Sequence, residues 1–247
     1  MLIPAHVKEM FYKDRAELLY GNAIAGFIAT LSAGSLLVFG FYNLEIQTEK
    51  YLWLTVLFIV VFGRFLDLRY WHKINQNKDY NGKNAVNRFI FGTLITGIIW
   101  SLYCFCFVQY ATIKELACMI IILSAFAGGA ATVLAAHMVG AMCYTFILLG
   151  PPSLILLLSP EDYKTILGLM GIVFGGVMIF TAKKSADFTS NAIRLKNENA
   201  ELVNQMEHKV AQRTEEIYQL SNLDPLTGLF NRSAFMKHLD SKLEASE

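Results

Sequence analysis

Charge is what this sequence has least of. Asp, Glu, Lys and Arg make up only 17% of the residues, against about a quarter in ordinary soluble domains. The net charge of +1 gives no field to attract nucleic acid, so no nucleic-acid partner is expected. Cysteine is scarce too: Cys104, Cys106, Cys118 and Cys143 all fall inside apolar runs, and no CxxC pair suggests zinc or redox chemistry. They read as reduced packing residues. Proline is limited to five residues, two of them adjacent as Pro151–Pro152. No cleavable signal peptide is visible, because the first apolar run begins only after Gly21.

What the sequence does have is apolar length. Hydrophobic residues reach 55% and the mean hydropathy is +0.42, too apolar for a soluble fold of this size. Six runs are long enough to cross a bilayer as helices: 22–42, 51–69, 89–110, 115–137, 139–158 and 164–182. Lys and Arg concentrate before the first run, between the second and third, and after the sixth. The opposite loops hold only Lys50, Lys114 and Lys164. The positive-inside rule then puts both termini in the cytoplasm. The outer loops, such as NLEIQTEK, are too short to form a ligand-binding domain. A stimulus is therefore expected within the membrane or at its surfaces. Residues 1–21 read as a cytoplasmic segment, either an interfacial helix or a basic tail.

Within the spans a few residues stand out. Arg64 and Asp67 are three apart and share a helix face. Charges at membrane depth are costly and default to function, but here a simple mutual pair near the inner interface is the blander expectation. The run AFAGGAATVLAAH, Ala125–His137, is rich in small residues. It reads as the tight centre of the bundle, as a dimer contact, or as a lipophilic cavity. His137 at its inner end reads as a solvated interfacial residue; no second well-placed intramembrane histidine is evident for a bis-histidine haem site. Pro151 and Pro152 remove two backbone donors and are expected to kink or break their helix, which makes it a candidate moving part. The aromatics Trp100, Tyr103, Phe105 and Phe107 read as packing or an interface belt.

After Thr181 the character changes. Residues 183–222 are charged, hold no Pro or Gly, and are rich in helix formers. Val203, Met206, Val210, Ile217 and Leu220 follow a 3-4 alternation, with Arg213 at the missing position. That is the seam of an imperfect parallel coiled coil, and it implies a homodimer. Residues 223–247 open with LDPLTGLFNR. Asp224 can cap a turn, Pro225 suits a first helical position, and Gly228 permits positive φ. Leu226 and Leu229 supply apolar anchors, and Asn231 suits an N-cap. Phe235, Leu239 and Leu243 give the next helix one apolar face.

The residues Asp224, Leu226, Thr227, Gly228, Leu229, Asn231 and Arg232 match the pattern D-x-L-T-G-L-x-N-R. This resembles the opening motif of GGDEF domains, the catalytic domains of diguanylate cyclases. Six spans followed by a signalling helix resemble, more loosely, a bacterial architecture in which a membrane sensor precedes such a domain. The resemblance implies an all-α integral membrane protein. Its parts would be a six-transmembrane-helix sensor (22–182), a cytoplasmic parallel coiled coil (183–222) and the first helix of an α/β GGDEF domain (223–247). It implies a bacterial inner-membrane location. The implied parent reaction condenses two GTP to cyclic di-GMP with Mg2+. The sequence contains no GG[DE]EF loop, no metal-binding carboxylate strand, no guanine contacts and no inhibitory site of that family. No catalytic, cofactor or metal residue is therefore assigned, and the chain is expected to be cut within the first helix of the cyclase domain and inactive by itself.

Other outputs remain open at the level of sequence. A histidine kinase would need a phosphoacceptor, and His208 lacks a suitable flank. A degenerate GGDEF relay would carry the same opening motif. A small transporter is compatible with six spans, but no inverted repeat is visible. Short outer loops and few central charges favour a hydrophobic ligand or the bilayer itself as the stimulus.

Overall fold

The computed structural model describes residues 5–77, 80–225 and 227–244, with side chains left undescribed at 5–8, 238–240 and 242–244. The described residues are helical, with no strand beyond a single isolated bridge between Leu223 and Phe230. Eight helices follow in order: α1 (Ala5–Gly21), α2 (Ala23–Gly40), α3 (Gln47–Asn75), α4 (Gly82–Phe107), α5 (Ile113–Val133), α6 (Met138–Leu157), α7 (Asp162–Asn222) and α8 (Arg232–Glu244). Six helical stretches are long and apolar enough to cross a membrane. Each overlaps one of the six runs read from the sequence, though the first stretch begins at Glu9 rather than at residue 22 and the last runs on to Asn222.

Local chemistry sets several helix starts. Asn81 accepts the Asn84 amide ahead of α4, Thr112 accepts the Glu115 amide ahead of α5, and His137 accepts the Gly140 amide ahead of α6. Each satisfies one backbone donor that a helix start leaves orphaned. The chain divides into two compact units, Met1–Ile193 and Arg194–Glu247, and α7 contributes residues to both.

In the first unit, α4 is the central helix and packs on α1, α3 and α6. One aromatic cluster joins Trp53 of α3 to Trp100 and Tyr103 of α4, edge-on at 5.2 and 4.6 Å. Phe126 of α5 and Phe107 extend it. Such pairs add about 0.5–1.5 kcal/mol each beyond area burial. Trp100, Tyr103 and Phe107 are buried, whereas Phe105 faces outward. A second cluster stacks Tyr20 of α1 on Trp71 of α3 at 4.7 Å, with Phe89 of α4 edge-on at 5.0 Å. Helix α1 buries Ala16, Leu19 and Tyr20. At Gly82 a Cβ would collide with the backbone of Tyr12 and Lys13, so this close approach requires glycine.

Two expectations change here. The small-residue run of α5 is not the tight centre of the bundle. Ala127, Ala130 and Ala131 are buried, but a Cβ added at Gly128 or Gly129 would meet nothing within 4 Å. The centre is α4, whose Gly97 receives the Tyr144 ring of α6. The proline pair does not break its helix either: α6 is helical through Pro151 and Pro152 to Leu157. Neighbours can supply what the ladder loses in a membrane helix.

In the second unit, residues 194–222 of α7 are exposed along most of their length. A hydrogen-bonded turn follows and leads into α8.

Candidate functional site

Three polar assemblies stand out against the apolar spans. The first lies where α1, α3 and α4 meet. Tyr20 donates its hydroxyl to the Asp67 carboxylate at 2.5 Å and also reaches the Ala85 carbonyl at 3.3 Å. Arg88 pairs with the same carboxylate at 2.9 Å. Asp67 is thus held by a phenol and a guanidinium, neither of which is Arg64.

Arg64, one turn away, forms the second assembly. Its guanidinium donates to Thr93 Oγ1 at 2.7 Å and to Thr96 Oγ1 at 3.1 Å. Those hydroxyls donate onward to the carbonyls of Phe89 and Gly92. The rings of Phe27 and Phe89 lie 4.9 and 5.5 Å from the cation, within cation–π range. Gly92 leaves room for the arginine stem, since a Cβ there would stand 3.1 Å from Arg64 Cγ. The expected Arg64–Asp67 pair is therefore not formed. Sharing a helix face made it possible, but α4 offers Arg88 to the acid and two threonines to the base.

Arg64 borders two cavities. One, of about 370 Å3, lies between α3 and α4 and also touches Asp67 and Arg88. The other, of about 320 Å3, is bounded by the small residues Ala25, Gly26 and Ala29 of α2 and by Ala125 and Gly129 of α5, with Tyr144 and Thr93 alongside. A third cavity, about 250 Å3 and apolar, is lined by Cys104, Pro152, Ser153 and Gly171 among others.

The third assembly escaped sequence reasoning. Lys50 of α3 donates to Glu115 of α5 at 2.7 Å and to the Phe41 carbonyl at 2.9 Å. Tyr103 donates to the same carboxylate at 2.9 Å. The lysine is 0% and the glutamate 3% exposed. Read along the chain, Lys50 is one more loop lysine. Its only signal is an apolar run beginning directly after it. Glu115 sits three residues after the capping Thr112 and reads as a helix-start acid.

His137 is not a free, solvated ring. Its Nδ1 accepts the Gly140 amide at 2.9 Å, and the residue is half-buried. Burial, with Arg15 of α1 a smaller cause, pushes its pKa below the ordinary 6.5. Pro152 is buried and Pro151 half-buried.

In the second unit, Val203, Met206, Val210, Ile217 and Leu220 are 52–82% exposed, and Arg213 pairs with Glu216 at 2.7 Å. In the turn, Asp224 Oδ1 accepts both the amide and the hydroxyl of Thr227 at 3.0 Å. Gly228 has φ +68°. Asn231 caps α8 by accepting the Ala234 amide, and it donates to the Ser221 carbonyl at 2.7 Å. Pro225 lies in the turn rather than at a first helical position. Leu229 and Arg232 are exposed; Leu226 lies outside the described residues, as do the side chains of Leu239 and Leu243. Among the described residues no group of His, Cys, Asp or Glu is placed to hold a metal ion.

Compared with known proteins, the chain matches no family model, no curated protein and no solved structure.

Proposed function

We propose that this chain is the membrane sensor and signal-transmitting part of a diguanylate cyclase. It works as a homodimer in a bacterial inner membrane with both termini cytoplasmic. The observation that carries the reading is the turn from Asp224 to Asn231. The seven residues that match the GGDEF opening include the three that build this turn: the acid that accepts Thr227, the glycine at positive φ and the asparagine that caps α8. The turn follows a helix that begins as the sixth apolar span.

Two further observations support it. The 203–220 stripe is uncovered in a single chain. Burying each of its large side chains would contribute about 1.5–3 kcal/mol, and a second copy supplies an identical stripe in register. The concentration of Lys and Arg before the first span, between the second and third, and after the sixth also supports cytoplasmic termini by the positive-inside rule. Among the described residues no group of His, Cys, Asp or Glu is placed to hold Mg2+, and no catalytic step is assigned to them. In this reading a stimulus shifts the helix bundle, the coil changes its pairing, and two output domains are brought together or held apart.

The test joins residues 1–247 in frame to a GGDEF catalytic domain that is active only when paired, and measures cyclic di-GMP in membranes. Cysteines at Val203 and Met206 report pairing by oxidative cross-linking. The expected result is a cross-linked dimer and output that falls at least tenfold in Val203→Asp/Val210→Asp. A monomer whose output is unchanged by these substitutions overturns the proposal.

A further inference from the structure

We infer that the cavity between α2 and α5 binds a single-chain anionic amphiphile, a long-chain fatty acid, with its carboxylate on Arg64 and its tail along the small residues of both helices. The inference stands on the cavity and not on the output domain.

The charge comes first. A guanidinium carries five N–H donors. The two threonines accept two of them, and neither hydroxyl is negative. Their own protons are committed to backbone carbonyls, so they hold the cation in place without neutralising it. The aromatic faces of Phe27 and Phe89 do the same from the sides. A guanidinium inside an apolar bundle with no carboxylate in hydrogen-bond contact is costly to keep charged. A carboxylate meets this fork with two parallel hydrogen bonds, the strongest pairing a guanidinium makes.

Among the described residues the hydrogen bonds of Arg64 go to hydroxyls and not to a carboxylate. Asp67 is held by Tyr20 and Arg88, and Glu115 by Lys50 and Tyr103. Glu45, Glu49, Glu161 and Asp162 belong to the loops and helix ends beyond α2, α3 and α6, the ends opposite His137. A second copy brings the same set, so dimerisation through this groove would leave the charge as it is.

The shape selects the tail. Ala25, Gly26 and Ala29 on one side and Ala125 and Gly129 on the other remain exposed in the groove. A Cβ added at Gly26 or Gly129 meets nothing within 4 Å. Its volume of about 320 Å3 lies at the low end of ligand sites, which run from about 300 to 1,000 Å3. That suits one acyl chain rather than the two of a phospholipid. The Tyr144 phenol borders the same space and can add a donor to the head group.

The experiment uses the whole 247-residue chain in phosphatidylcholine nanodiscs, with oleate carrying a photoreactive diazirine on its tail as the probe. Labelling should saturate, map to α2 or α5, and be competed by oleate but not by methyl oleate, which keeps the tail and loses the charge. Arg64→Met should weaken labelling at least tenfold, with Arg64→Lys intermediate because an ammonium cannot form the two-pronged contact. Gly26→Leu leaves Arg64 untouched, fits the open space, and should also lose labelling. Equal competition by methyl oleate, or wild-type labelling of a folded Arg64→Met chain, overturns the proposal. So does displacement of the probe by phosphatidylglycerol at equal concentration, which would make the occupant a phospholipid. Cross-linking between copies at Gly26 and Gly129 with no labelling would make it a second chain. None of these readouts involves a nucleotide, so failure here is distinct from failure of the cyclase reading.

Discussion

The ammonium of Lys50 lies 2.7 Å from the carboxylate of Glu115, and the two residues are 65 positions apart. Neither is accessible. Such a pair stabilises little against an apolar substitute, but either half alone is a buried, unpaired charge. Lys50→Met or Glu115→Met should each destabilise the bundle by about 3–5 kcal/mol. The double variant Lys50→Met/Glu115→Met should recover most of that loss. Thermal unfolding of the four proteins in one detergent gives the coupling directly. Additive losses would mean that the two residues act independently.

The turn after α7 should be sensitive at two of its positions. Asn231→Ala removes the cap on Ala234 and the bond to Ser221, a loss of about 0.5–2 kcal/mol. Gly228→Ala forces a side chain into the left-handed region at a cost of about 1–2 kcal/mol. Both should speed amide hydrogen exchange at Ala234 and Phe235 while leaving exchange in α4 unchanged. Unaltered exchange at the start of α8 would show that the cap contributes nothing.

The cap at His137 makes stability depend on pH. Burial lowers the folded pKa below 6.5, so the folded chain prefers the neutral ring, whose Nδ1 accepts the Gly140 amide. The contribution is complete above the unfolded pKa of about 6.5 and is lost as pH falls through the lower folded value. Protonation also places a cation toward Arg15. His137→Asn keeps a capping acceptor and removes the titration. Melting temperatures between about pH 7 and pH 5 should therefore fall more steeply in the wild type than in the variant. Parallel curves would assign the slope to other groups.

How much of this was legible in the sequence depends on how far apart the partners are. The apolar runs show the spans because a membrane helix must hydrogen-bond within itself. Gly228 and Asn231 were readable because turn and cap preferences depend on a few neighbouring residues. Arg64 and Asp67 show the limit. Their spacing places them on one face of α3, but their partners come from α4 and α1, and nothing in the spacing says so. Lys50 is the sharper case, since a buried lysine and a loop lysine are written alike until Glu115 is brought to it. The small residues of α5 were conspicuous, yet counting them could not show which of them face a helix and which face a gap. That distinction separates a packing centre from the cavity beside Arg64.

Helix α1 is made before the helices it packs on. The Tyr20 hydroxyl reaches the Ala85 carbonyl, 65 residues further on. At synthesis rates of about 5–20 residues per second, that separation is a wait of roughly 3–13 s. Until α3 and α4 have emerged, Ala16, Leu19 and Tyr20 lack the helices they pack against. Helix α1 is therefore a late arrival in its own fold, and the polar contacts of Asp67 are completed only when it docks.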